Sequence, residues 1–169
     1  MTEPPAAMDE EFNAWYDSEH IPERLSIPGF RSARRWRADT APGEGKYLAT
    51  YELDSPEVLM TPEYLARFEG ATPWTRRCLE KTLVFRRWAC EQTAPGNADP
   101  HPAAKAVLLV CGDAPLEETA LPDALQARHF QASVGKPRYV TLFELAYVTR
   151  KLPALGTDRL VRLYRAYAA

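Results

Sequence analysis

Between Asp9 and Leu25 the chain carries Phe12, Tyr16 and His20 at every fourth position, with Trp15 and Glu19 beside them. That spacing puts the three residues on one helical face. The pattern predicts a helix over Asp9–Leu25, capped by Asp9, acidic in its first turn and stopped by Pro28-Gly29. Pro22 has no N–H to donate, so it ends or kinks the regular part near His20. From Phe30 the period changes to two. Strands are predicted at Phe30–Arg37 and Lys46–Asp54, antiparallel and joined through Thr40–Gly45. Thr61 with Pro62 opens a short helix to Glu69, and Thr82–Cys90 reads as a further strand. The remaining pattern predicts a strand at Lys105–Gly112, a helix at Leu116–Arg128 and a short strand from His129. A strand at Arg138–Ala146, a short helix near Leu152 and a last strand at Arg159–Tyr167 follow.

The stretch Thr93–Ala103, TAPGNADPHPA, holds three prolines and few large apolar groups, so it reads as a linker. The division is residues 1–92, a linker over 93–104, and residues 105–169. The two parts share a pattern. Lys46–Leu53 reads KYLATYEL and Arg138–Leu145 reads RYVTLFEL. Both give cation, Tyr, aliphatic, small, variable, aromatic, Glu, Leu, which points to an internal repeat. The predicted order β-α-β-β-α-β, twice over, is the ferredoxin-like split βαβ unit. The fold class is therefore α+β: two such units in one chain, forming a pseudo-dimeric α/β barrel. The first unit lacks its N-terminal strand, because Met1–Ala7 offers no buried run. Either three strands suffice there or a neighbouring chain supplies the edge, and an open edge gives a homodimer its interface.

Composition narrows the class further. Apolar residues make up 46% and charged residues 26% of 169, which suits a globular domain. A formal charge of -2 argues against nucleic acid as a partner, since phosphate binding needs a basic surplus. No apolar run is long enough to span a bilayer, and Met1–Met8 lacks a secretory pattern, so a cytoplasmic setting is the expectation. Cys78, Cys90 and Cys111 form no disulfide or zinc spacing. His20, His101 and His129 form no metal spacing, so neither a metal nor a cofactor is expected. A phosphate-binding glycine loop and a G-x-S-x-G elbow are both missing.

The run FNAWYDSEHIPERLSIPGFRSARRW, Phe12–Trp36, resembles the signature of EthD-like proteins of the dimeric α/β-barrel superfamily. In these a helix bearing W-Y-x-x-x-H-x-P precedes P-G-F and a strand. Tyr47–Leu53 and Thr72–Arg77 (TPWTRR) look similar to them as well. The resemblance implies paired ferredoxin-like units around a small-molecule cavity. It implies activities ranging over polyketide cyclases, isomerases, dehydrochlorinases, cofactor-free monooxygenases and haem-degrading enzymes. It also implies an acid/base role for a histidine at the place of His20.

The residues themselves offer matching chemistry. An imidazole with an ordinary pKa near 6.5 suits proton transfer at neutral pH, which makes His20 the first catalytic candidate, with Tyr16 on the same stripe. Alternation puts Tyr47 and Tyr51 on one face of their strand. There a phenol could hold a developing oxyanion or simply fill a core, and Tyr51 is assigned the first role. Among the strand arginines, Arg34 shares a face with Phe30 and Trp36 and suits an anionic group. Trp15, Trp36 and Trp74 would line an apolar pocket, with Pro73-Trp74 in a loop. The expected function is a cofactor-independent enzyme acting on an aromatic or polyketide-like oxygenated small molecule by acid/base chemistry: cyclisation, dehydration, decarboxylation or isomerisation. The alternatives are a cofactor-free monooxygenase of a phenol, or a non-catalytic binding or accessory protein.

Overall fold

In the computed structural model of the chain, which describes residues 1–116, 121–148, 155 and 158–168, the first unit begins with a strand the sequence conceals. The chain clusters into two units. The first holds Met1–Arg35 and Thr40–Phe85, with Ala168. The second holds Trp36–Asp39 and Arg86–Tyr167. The class is α+β with antiparallel pairing.

The strands of the first unit are Thr2–Glu3 (β1), Phe30–Arg37 (β2, up to Arg35), Tyr47–Leu53 (β3) and Val84–Phe85 (β4). Its helices are Asp9–Trp15 (α1), Ile21–Leu25 (α2), Pro62–Glu69 (α3) and Pro73–Lys81 (α4). The strand order is β4-β1-β3-β2. The N-terminal strand expected to be missing is therefore present. It is two residues long, buried, and paired antiparallel with both β3 and β4. Hydrophobic patterning misses it because no large apolar side chain holds it. Backbone pairing holds it on both sides. The Glu3 carboxylate also accepts from the N–H groups of Gly43 and Gly45, at 2.8 Å each.

The predicted β2 is found at its predicted bounds, and β3 lies within its own. Thr61 caps α3 as expected, its hydroxyl accepting from the Tyr64 N–H at 3.3 Å. Gly29 ends the N-terminal helical run at φ +91°, where a β-carbon would lie 2.5 Å from Val58 Cγ2, so glycine is required. Two expectations are corrected here. Asp9 does not cap α1: Met8 is the N-cap residue, and the Asp9 carboxylate instead binds Lys46 Nζ (2.8 Å) and the Tyr47 hydroxyl. Trp74 is not in a loop. Thr72 caps a helix that starts at Pro73, accepting from the Thr75 N–H at 3.0 Å, so Trp74 sits in the first turn of α4.

The second unit comprises Ala89–Ala94 (β5), Ala106–Gly112 (β6), Ala124–Val134 (β7), Tyr139–Leu145 (β8) and Leu160–Ala166 (β9). Their order is β9-β6-β8-β7-β5, and Trp36 and Arg37 pair with Ala166 and Arg165 of β9. Every residue of β6 is buried. On one face Ala106, Leu108 and Val110 pack with Phe143, Leu145 and Leu155, joined by Leu116, Leu121, Val161 and Leu163. On the other face Arg128 and Glu144 are both 1% exposed and joined at 2.9 Å. Glu144 also accepts from Gln126 and from the backbone N–H of His101.

The helix predicted over Leu116–Arg128 is corrected in its described part. Leu121–Asp123 is a turn or irregular, and from Ala124 the chain is strand. The short strand expected from His129 is the continuation of that same β7. The strand predicted at Thr82–Cys90 is two. β4 pairs with β1 and β5 with β7, so no single ladder runs through Arg86–Trp88. Strand β5 runs on to Ala94, into the proline-rich stretch. The helix predicted near Leu152 falls outside the described residues. No described helix is long and apolar enough to cross a membrane.

Candidate functional site

The helical run of the first unit carries the site, and Pro22 shapes it. Without an N–H at position 22 the α-ladder cannot continue unchanged. Tyr16–His20 instead forms a π-turn, in which the Ile21 N–H reaches back five residues to the Tyr16 carbonyl. A π-turn lays residue i over i+5. Trp15 and His20 are five apart, and their rings are 4.5 Å centroid to centroid. The Tyr16 ring meets His20 edge-on at 4.8 Å, and Phe12 meets Tyr16 at 5.3 Å. The stripe expected from the four-residue spacing is thus assembled, and the π-turn adds Trp15 to it.

Around this stripe each polar group has a definite environment. Trp15 is fully buried and donates from Nε1 to Thr75 Oγ1 at 3.0 Å. Thr75 and Thr72 both donate to Glu19, at 2.8 and 2.6 Å, so the start of α4 is tied to the π-turn. Arg35 is buried and binds Asp17 and Asn13. Its guanidinium lies over the rings of Tyr16 (4.6 Å) and Tyr47 (5.5 Å). The Tyr47 hydroxyl accepts from Asn13 and donates to Asp9, which commits it to holding α1 against β3.

His20 is different. Burial, then the Arg24 and Arg35 guanidinium charges, push its pKa down to about 3. The imidazole is therefore neutral at physiological pH, and its Nδ1 is buried with no hydrogen-bond partner among the described residues. Tyr51 shares the condition. Burial first, and the nearby Tyr16 phenol second, hold its pKa well above the usual range. Tyr51 Oη is buried and leans its hydroxyl toward the Tyr16 oxygen, and among the described residues it has no partner at full hydrogen-bond geometry. Phe30 packs against Tyr51 at 5.9 Å and stacks on Tyr64 at the same distance.

Of the nine residues expected at the site, ring contacts join six: Trp15, Tyr16, His20 and Tyr47 through Phe12 and one another, and Phe30 with Tyr51. Tyr16 and Tyr51 link these two groups electrostatically. Arg34 is half-buried on β2, and strand alternation points it to the face opposite Arg35. Trp36 is buried but belongs to the second unit. Trp74 is half-buried in α4, with Nε1 enclosed and unpartnered.

Sequence reasoning missed Arg24. It stands four residues after His20, on the same helical face, and that spacing was the available signal. Arg24 is 7% exposed, lies over Tyr64 (5.2 Å) and Phe68 (5.4 Å), and its Nη1 is buried without a partner. Among the described residues no three His, Cys, Asp or Glu side chains gather as metal ligands would. Chemically, the arrangement offers a neutral imidazole, a phenol and a guanidinium, each with an unsatisfied polar atom inside aromatic walls. No protein-family profile matches the chain, and no curated protein is significantly similar to it.

Proposed function

We propose that this chain is a tandem of two ferredoxin-like units related to the EthD-like, dimeric α/β-barrel proteins. We propose further that it acts as a cofactor-independent enzyme on a small, oxygenated aromatic or polyketide-like molecule. Strand order supports the first part. Numbered within each unit, with β5 set aside, both strand orders read fourth, first, third, second. The repeated segments Tyr47–Leu53 and Tyr139–Leu145 are each the third strand.

One observation carries the second part: His20 Nδ1 is buried without a partner among the described residues, and buried Tyr51 Oη has only the Tyr16 phenol close to it, beside the same aromatic stripe. Buried polar atoms without partners are costly and cluster where a ligand completes them. In this reading neutral His20 removes a proton from carbon next to a carbonyl, and the Tyr51 hydroxyl donates to the enolate oxygen that forms. The proton returns to another carbon in isomerisation, or leaves as water with an expelled hydroxide in dehydration. A negative charge forming beside Arg24 and Arg35 raises the basicity of His20 during the step.

The test is turnover of an identified substrate by the variants His20→Ala and Tyr51→Phe. A loss of at least a hundredfold is expected for His20→Ala and of about tenfold or more for Tyr51→Phe. Unchanged turnover in both overturns the assignment. The weak basicity of the free imidazole favours a second reading, a binding protein. Under it both variants change affinity, and no turnover is found in any form.

A further inference from the structure

We propose that Arg24 is the receptor for a carboxylate on the small aromatic ligand of this site. The inference rests on the reading above and names the ligand's charge. The two buried arginines of the first unit differ in how they are compensated. Arg35 has Asp17 and Asn13 as direct acceptors. Among the described residues, Glu23 is the one acidic partner of Arg24. That contact is 3.7 Å, from Nη2 to the adjacent residue's carboxylate, longer than the roughly 2.7–2.9 Å of a charge-assisted hydrogen bond. Its Nη1 is enclosed and donates to nothing among the described residues.

A guanidinium held out of water without acceptors is costly, and the cost is recovered when an anion arrives. The surroundings select what that anion is attached to. Tyr64 is buried and Phe68 half exposed, and both rings lie against the guanidinium. Phe30 stacks on Tyr64 and meets Tyr51 edge-on. These rings suit a flat apolar body, while the planar fork of Arg24 suits a carboxylate. His20, four residues before Arg24, is close enough to feel its charge.

The experiment compares benzoate with benzamide, which has nearly the same shape and no charge, on the full chain by calorimetry and thermal unfolding. Benzoate is expected to bind saturably, at least tenfold tighter than benzamide, and to raise Tm. Arg24→Met is expected to cancel that preference while leaving Tm of the free protein equal to or above that of the parent, because it removes an uncompensated charge. Arg24→Lys, which keeps the charge and loses the fork, is expected to keep only part of the preference. A preference below twofold in the parent chain overturns the proposal without any variant. So does a preference that survives in Arg24→Met. A fall in Tm for Arg24→Met without carboxylate preference in the parent assigns Arg24 to packing Tyr64 and Phe68 instead. His20→Ala separates the two readings. Benzoate binding is expected to persist in it even where turnover is lost, and retained turnover with Arg24-dependent benzoate binding sinks only the acid/base assignment.

Discussion

His20 is enclosed by Trp15 and Tyr16 on its own helical run, with Arg24 and Arg35 as the charges that act on it. Its folded pKa, about 3, lies below the unfolded value near 6.5. The unfolded chain therefore takes up a proton first as pH falls. The contribution is fully present above pH 6.5, declines from there to about 3 and is flat below, with a span of roughly 5 kcal/mol. Urea unfolding across that range should show a steeper loss for the parent chain than for His20→Gln. In NMR the imidazole should stay neutral at pH 5, and bound benzoate should raise its pKa. An imidazole titrating near 6.5 in the free protein contradicts this environment. The stripe of Phe12, Tyr16 and His20 was legible because helical spacing alone brings it together. Arg24 was not, because a helix arginine ordinarily sits in water and only the contacts with Tyr64 and Phe68 reveal that this one does not.

Among the elements, α4 depends on a shared carboxylate. Thr72 caps the helix and also donates to Glu19, so Thr72→Ala should cost about 1 kcal/mol for the cap, and more as Glu19 loses a donor. Denaturant unfolding measures this, and a neutral result would show that Thr75 alone holds the junction. In the second unit, Arg128→Met should cost roughly 3–5 kcal/mol, since it strands the buried Glu144 carboxylate. The double variant Arg128→Met with Glu144→Leu should recover much of that loss. Local patterning read β2 and α3 well because each is dominated by short-range rules: alternation in one, a Thr-Pro start in the other. It failed at Ala124–Arg128, where Ala, Leu, Gln and Arg favour a helix. There β8 pairs along β7 from Ala124 to Arg128, and tertiary pairing overrides the propensity. It failed at Thr2–Glu3 for the opposite reason, since a strand held by backbone pairing and one carboxylate leaves no hydrophobic trace.

At the scale of the molecule, eight residues suggested a repeat and the strand orders of the two units are alike, but the division of the chain between units was not visible. The proline-rich stretch draws attention to residues 93–104, whereas the second unit takes up the chain from Arg86 and also holds Trp36–Asp39. A fragment of residues 86–169 lacks Trp36 and Arg37, the partners of Ala166 and Arg165. It should unfold less cooperatively and at lower denaturant than the intact chain, as followed by circular dichroism. Full stability of that fragment alone would show the four-residue segment to be dispensable.

That short loan of residues has a wider meaning. Trp36, Arg37, Ala38 and Asp39 are encoded inside one unit and spent in the other. A genetic crossover at any single point would hand on one unit with a piece of its sheet left behind. The two units are thereby bound to be inherited, swapped or redesigned together, and a cassette exchange would have to carry two separated stretches of sequence at once.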